Sequence, residues 1–396
     1  MLIPSLSRRE ILKGSTLGLL AVTFGSRGTA MRAFSAESQA SADLIVRQMS
    51  PYNAEPPLPR LIENWITPVN SFFVRSHGDV PALDANDLIL TVDGLVEKPL
   101  TLKMGELLER FRGASTTATL TCAGNRRSEF AAIQKVGGVQ WDAGAIGNAD
   151  WQGVRLVDVL KAAGVKPEAN HVWFEGRDQV TEKNSTFPFG GSIPLEKAMA
   201  STATGACLLA TRMNGQPLTA AHGFPLRTIV PGFIGARSVK WLHKITVSDR
   251  PSPNHFVADV YKVVPEDNAE LISRSSPIYE FTLNSAICSP PAGTVVTGDH
   301  ITAKGFALTN GAIGKSVRTI EVSADDGQSW TRAKVTSPVR DYCWVLWSAD
   351  VAVTAKSRSL IVRATDSGGD MQPERSPWNY KGYQFNGWHK INLKQA

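Results

Sequence analysis

Apolar residues in this chain recur over short runs of changing period. L-I-L-T-V-D-G at 88–94 alternates and then reaches a turn residue, which predicts a strand. M-G-E-L-L-E-R-F at 104–111 has helical spacing and predicts a short amphipathic helix. T-A-T-L-T-C at 117–122 is a β-rich run ending on a cysteine, and H-V-W-F-E-G at 171–176 is a second such run. L-V-D-V-L-K-A-A-G at 156–164 predicts a helix with a glycine stop. I-P-L-E-K-A-M at 193–199 predicts a helix with proline near its first turn. Upstream, 43–61 is polar and punctuated by prolines, as expected of an arm wrapping the body. Helices and strands interleave in irregular lengths, so the class is α+β rather than regular βαβ units.

After about Ser248 the helical period fades. Short alternating runs at 294–297, 300–308, 317–323, 342–347 and 358–366 are separated by turn signals such as D-D-G at 325–327 and D-S-G-G at 366–369. This spacing predicts an immunoglobulin-like β-sandwich. The expected division is a leader at 1–36, a mixed α/β catalytic domain at 43–248 and the sandwich at 249–396, with no internal repeat.

The first residues include S-L-S-R-R-E-I-L-K-G, in which Arg8 and Arg9 are paired. The weakly apolar stretch that follows, 14–25, is too short and glycine-rich for a membrane span. Small residues at 28–30, or near Ala36, offer a cleavage site. This is the pattern of a twin-arginine export signal, a route for folded cargo whose cofactor is inserted before export. The expectation is a periplasmic cofactor protein that is not held in the membrane.

The chain has 396 residues, enough for two domains and a large core. The formal net charge of +6 is spread along the chain without a dense basic run, so no nucleic-acid partner is expected. The four cysteines, Cys122, Cys207, Cys288 and Cys343, form no C-x-x-C, which leaves zinc ribbons, iron–sulfur clusters and covalently attached haem unsupported. A Cys288–Cys343 disulfide stays open for an exported protein.

The densest chemistry is T-C-A-G-N-R-R-S at 121–128. Guanidinium charge beside a thiol favours thiolate, and a thiolate is a soft metal ligand or a nucleophile. Arginines can fix an anion bidentately. Further basic residues stand in F-F-V-R-S-H (72–77), W-F-E-G-R-D (173–178), M-N-G-Q-P-L-T-A-A-H-G-F-P-L-R (213–227) and V-P-G-F-I-G-A-R-S-V-K-W-L (230–242). Taken singly, each His or Arg is more often a solvated or structural residue. Gathered in Gly- and Pro-rich loops of one domain, they suit a phosphate-bearing cofactor and an oxyanion.

C-A-G-N-R-R, M-N-G-Q-P-L, H-G-F-P-x-R and G-A-R-x-x-K-W-L, in this order, resemble the sulfite oxidase family of molybdenum enzymes over about 61–390. The resemblance implies molybdenum on a pterin dithiolene (molybdopterin), with Cys122 as the metal's protein ligand. It implies a pterin pocket of His77, Asp178, His222, Arg227, Arg237 and Lys240, and an oxyanion pocket of Arg75, Arg127 and Trp141. The implied reaction is oxygen-atom transfer to sulfite, as in bacterial periplasmic sulfite dehydrogenases. With no haem expected in this chain, electrons would pass to an external acceptor such as a c-type cytochrome. The sandwich matches the family's dimerisation domain, so a homodimer is implied.

Two positions depart from the family pattern. F-G-G-S-I-P places Phe189 where a tyrosine is expected, which removes a phenol from the substrate pocket. W-N-Y-K-G places Lys381 where the family carries arginine, keeping the charge and losing the planar fork. Both leave the metal site intact and bear on the substrate. A reductase on the same scaffold (methionine sulfoxide or nitrate type) and oxidation of another sulfur oxyanion are the alternatives. From other classes come a non-catalytic exported binding protein and a thiol enzyme with Cys122 as nucleophile.

Overall fold

The computed structural model describes residues 44–182 and 184–395. The twin-arginine segment and its cleavage sites lie outside the described residues. The N-terminal arm is a short hairpin, Ile45–Gln48 with Asn53–Glu55, followed by a helical turn at Leu58–Leu61.

Two sheets build the first domain. One orders Gln216–Pro217, Leu208–Met213, Ile146–Arg155 and Gly113–Thr121, with Arg227–Ile229 also pairing on Leu208–Met213. The other orders Leu100–Lys103, Ile89–Gly94, Leu242–Ser248, His171–Glu182 and Ser185–Pro194. Gly113–Thr121 pairs antiparallel with Ile146–Arg155 along its whole length, and the last pair is Thr121 with Ile146. That pairing delivers Cys122 to the sheet's end.

The predicted helices at 104–111 and 156–164 form at Met104–Arg110 and Leu156–Ala163. In the first, Glu106 Oε2 accepts from the Lys103 N–H at 2.8 Å, half of a capping box. In the second, Gly164 takes φ +70° and closes the helix by donating to Leu160 O. The predicted helix at 193–199 shortens to Leu195–Ala198, because Pro194 is still the end of a strand.

The C-terminal part is a two-sheet sandwich. One sheet orders Asn284–Ser289, His300–Leu308, Val345–Ala352 and Lys334–Val335. The other orders Thr294–Val296, His389–Gln395, Ser359–Asp366, Val317–Ser323 and Thr331–Arg332. Ile287, Val322, Trp347, Leu360 and Val362 fill the space between them.

One predicted strand differs. The run at 342–347 begins in the left-handed region, with Tyr342 at φ +59°, and the strand starts at Val345. The three residues before it are spent on the first domain. Tyr342 O accepts from the Thr119 N–H at 2.9 Å, Trp344 N donates to Thr119 Oγ1 at 2.9 Å, and Trp344 Nε1 donates to Trp65 O at 3.0 Å. The open disulfide is also answered: Cys288 and Cys343 are buried free thiols, as are Cys122 and Cys207. Among the described residues no helix is long and apolar enough to cross a membrane.

Candidate active site

Cys122 leaves its strand with its N–H donated to Ala145 O at 2.9 Å. Asn125 folds back, its N–H on Cys122 O at 3.0 Å and its Oδ1 accepting from Ala145 N at 2.9 Å. Gly124 donates its N–H to Cys122 Sγ at 3.4 Å, so the sulfur is oriented by backbone before any ligand arrives. It opens onto a cavity of about 670 Å³ of empty space, also lined by Arg75, His77, Asp178, Phe189, His222, Arg227, Lys240 and Tyr261.

Among the described residues, the cations here have no carboxylate within salt-bridge distance. Arg75 Nη1 donates to Asn53 Oδ1 and to Ser76 O. Arg227 donates to the carbonyls of Thr228, His222 and Ser238. Arg237, wholly buried, donates to Ile278 O at 2.9 Å and Phe256 O at 3.3 Å. Lys240 donates to Ser76 Oγ and Ala221 O, both at 2.8 Å. Burial lowers the Arg227 guanidinium to about 9 and that of Arg237 to about 10, and burial, then Arg227, push the Lys240 ammonium well below its usual range against the pull of Asp178. An anion bound here would supply the missing charge.

The two histidines of the wall are neutral. Burial lowers the His222 imidazole to about 3, with Lys240 and Arg227 adding to it. His222 Nε2 donates to Val69 O at 3.3 Å, which leaves Nδ1 as an acceptor. Burial, then Arg75, Lys240 and Arg127, hold His77 well below the ordinary histidine range. Burial raises the Asp178 carboxyl to about 6, against the pull of Lys240.

Arg127, Trp141 and Lys381 do not line this cavity. Arg127 is buried beside the Cys122 loop, donating Nε to Gly382 O at 3.2 Å and Nη1 to Val139 O at 3.0 Å. Three glycines close on it: a Cβ at Gly124, Gly138 or Gly382 would stand 2.5, 2.9 or 3.0 Å from its side chain. Trp141 is wholly buried in the apolar cluster that contains Cys122 and Phe73. Lys381 Nζ stands 5.7 Å over the Tyr380 ring.

The phenol expected at Phe189 comes from elsewhere. Phe189 stacks on His77 at 4.5 Å, and the cavity's phenol is Tyr261, whose Oη lies 2.8 Å from His77 Nε2. Tyr261 follows a π-helical turn, Phe256–Val260, that no periodic pattern announces. It stands beyond Ser248, where the sequence texture changes.

No cluster of three or more His, Cys, Asp or Glu side chains able to hold a metal occurs among the described residues. Two buried polar atoms at or beside the cavity lack a partner among the described residues, Asp178 Oδ1 and Arg237 Nη2. An unpartnered acceptor suits the N–H edge of a pterin ring, and unpartnered cationic donors suit its phosphate. The residues present therefore fit a molybdenum–pterin group: Cys122 to hold the metal, with Asp178, His222, Arg227 and Lys240 around the organic part.

Comparison with known proteins agrees. Residues 77–256 match the oxidoreductase molybdopterin binding domain, and residues 275–396 match the Mo-co oxidoreductase dimerisation domain. The mitochondrial sulfite oxidase of Drosophila melanogaster is 39% identical over 381 residues, 91% of this chain and 65% of that protein. The chain thus spans somewhat less than two thirds of the fly protein's length. Sulfite oxidase of Arabidopsis thaliana is 37% identical over 91% of this chain and 96% of its own. The crystal structure of the sulfane dehydrogenase SoxCD from Paracoccus pantotrophus superposes with a TM-score of 0.74 and 26% identity, covering 94% of this chain and 96% of that one. The chain is a molybdopterin-binding oxidoreductase that belongs to the sulfite oxidase family.

Proposed function

We propose that this protein oxidises sulfite to sulfate, with water supplying the added oxygen and two electrons leaving to an external acceptor. The observation that carries the reading is a set of buried and half-buried cations near Cys122 that donate to neutral oxygens and to no carboxylate among the described residues. The molybdenum–pterin group, when bound, supplies the oxygen-atom transfer and the two-electron change. The chain's own residues supply charge, orientation and dryness. Arg75, on the cavity wall, and Arg127, held next to the Cys122 loop, favour a doubly negative oxyanion over neutral solutes. Burial keeps the Tyr261 phenol protonated well above its usual range, so it stays a hydrogen donor near the cavity's reacting end. His77, held neutral, fixes the phenol's position through its Nε2.

The finer reading follows from the leader and the relatives. Arg8 and Arg9 support export to the periplasm by the twin-arginine route as folded, cofactor-loaded protein. A periplasmic c-type cytochrome then serves as electron acceptor. The C-terminal sandwich, matching a dimerisation domain, supports a homodimer.

The test is a substrate panel on protein of known molybdenum content: sulfite, thiosulfate and sulfide as donors, nitrate and methionine sulfoxide as acceptors. The reading requires sulfite to be the best substrate by kcat/KM. Turnover of nitrate or sulfoxide with none of sulfite would overturn it and bring a reductase forward.

A further inference from the structure

The C-terminal domain reaches the site through a loop that Lys381 does not lead. Asn379 clamps the loop on itself, donating Nδ2 to Tyr383 O at 2.8 Å while its Oδ1 accepts from Tyr383 N at 3.0 Å. Gln384 donates its N–H to Ala123 O at 2.7 Å, tying the loop to the residue after Cys122. Gly382, at φ +63°, turns the chain and offers its carbonyl to Arg127. Between these anchors Tyr383 is 7% exposed. Its ring stacks on Tyr261 with centroids 5.1 Å apart and planes 26° apart. The Arg127 guanidinium carbon lies 5.0 Å from the centre of the same ring.

We infer that Tyr383 is a positioning and specificity-determining residue of the oxyanion pocket, its ring fixing the Tyr261 phenol and the Arg127 guanidinium in one arrangement. A stacked phenol and an arginine held over an aromatic face lose the freedom that free side chains would keep. The donor is then held at the cavity wall with the cation fixed behind it, so a small anion meets both without induced ordering. Lys381, with its amine over Tyr380, contributes charge at longer range. The C-terminal domain's contribution, which the family pattern gives as an arginine at position 381, falls here to an aromatic residue two positions on. Burial keeps the Tyr383 phenol protonated despite Arg127 and Arg75 nearby. The ring, not this hydroxyl, carries the proposed role.

The inference rests on the sulfur-oxyanion reading above, and its test separates the two. Tyr383→Phe, Tyr383→Leu and Tyr383→Val are compared with wild type in molybdenum-loaded protein. Three readouts are taken: KM and kcat for sulfite, the dissociation constant of sulfate by calorimetry, and melting temperature with metal content. Tyr383→Phe keeps both contacts and should stay within about twofold of wild type. Tyr383→Leu keeps an apolar side chain without a π face and should raise the sulfite KM and the sulfate Kd about tenfold, with kcat changed less than KM. Tyr383→Val should do the same or more. Unchanged KM and Kd in a loaded, folded Leu or Val variant would overturn the inference. So would equal losses in the Phe and Leu variants, which would assign the effect to the hydroxyl. If wild type neither oxidises sulfite nor binds sulfate, the functional reading fails and takes this inference with it. An active wild type with indifferent variants sinks the Tyr383 role alone.

Discussion

The cations of the pocket meet one problem, a buried or half-buried charge with no carboxylate in hydrogen-bond contact among the described residues, with neutral oxygen acceptors. That arrangement is costly until an anion binds. Arg75→Ala, at the cavity wall, should therefore raise the sulfite KM about ten- to hundredfold, since a hydrogen bond to a charged group is worth about 1.5–3 kcal/mol, and Arg127→Ala, acting from beside the Cys122 loop, should raise it several-fold. Steady-state kinetics on metal-loaded variants checks this, and a KM within twofold of wild type in either would contradict it. Asp178 makes a different claim. Its folded carboxyl, raised to about 6 by burial, holds a proton that the unfolded chain has already lost. Between the ordinary carboxylate range and about pH 6 the cofactor-free protein thus loses stability as pH rises, and above that the penalty is constant. Asp178→Asn removes the titration and should stabilise cofactor-free protein at pH 7 by about 2–3 kcal/mol, while weakening cofactor retention. The difference between wild-type and variant urea midpoints across pH 4–7 reads it. The residue scale was also the most legible in the sequence. C-A-G-N-R-R and the His, Asp, Arg and Lys of four separated segments converge on or beside one cavity. Tyr261 was not legible, because one phenol after an irregular run carries no periodic signal and its role exists only through the fold.

At the level of elements, what positions the site is mostly strand ends. Gly113–Thr121 hands over Cys122, and His171–Glu182 carries Asp178. Their burial patterns were strong enough to predict the Cys122 strand and the start of the other. The π-helical turn at Phe256–Val260 and the short strand at Arg227–Ile229 escaped, since neither is long enough to show a period. The run at 342–347 misled for a physical reason: Tyr342, Cys343 and Trp344 are apolar because they plug the first domain, not because they face a sandwich core. Cys343 Sγ donates to Thr117 O at 3.3 Å, and Trp344 is wholly buried. Trp344→Ala should cost about 3–5 kcal/mol and loosen the strand that delivers Cys122. Hydrogen exchange over 113–121 would then quicken, and unchanged exchange would show that the plug does not support the site.

For the whole molecule, both domains contribute to the surroundings of Cys122. The second domain brings Gly382 and Tyr383 to Arg127, and the first carries the thiol. The expected division after 248 cannot show this sharing, because composition marks a change of texture and not which loop reaches back. If the leader works as proposed, replacing Arg8 and Arg9 together by lysine should leave molybdenum-loaded protein in the cytoplasm; cell fractionation measures it, and unaltered periplasmic activity would refute the route. The measurement closest to the central claim is sulfite-dependent reduction of cytochrome c by protein shown to contain molybdenum, beside Cys122→Ser prepared identically. The account predicts fast reduction at micromolar sulfite by wild type, and loss of turnover in the variant with the fold intact. Metal-loaded wild type that leaves cytochrome c and ferricyanide oxidised, or a Cys122→Ser protein as active as wild type, would contradict it.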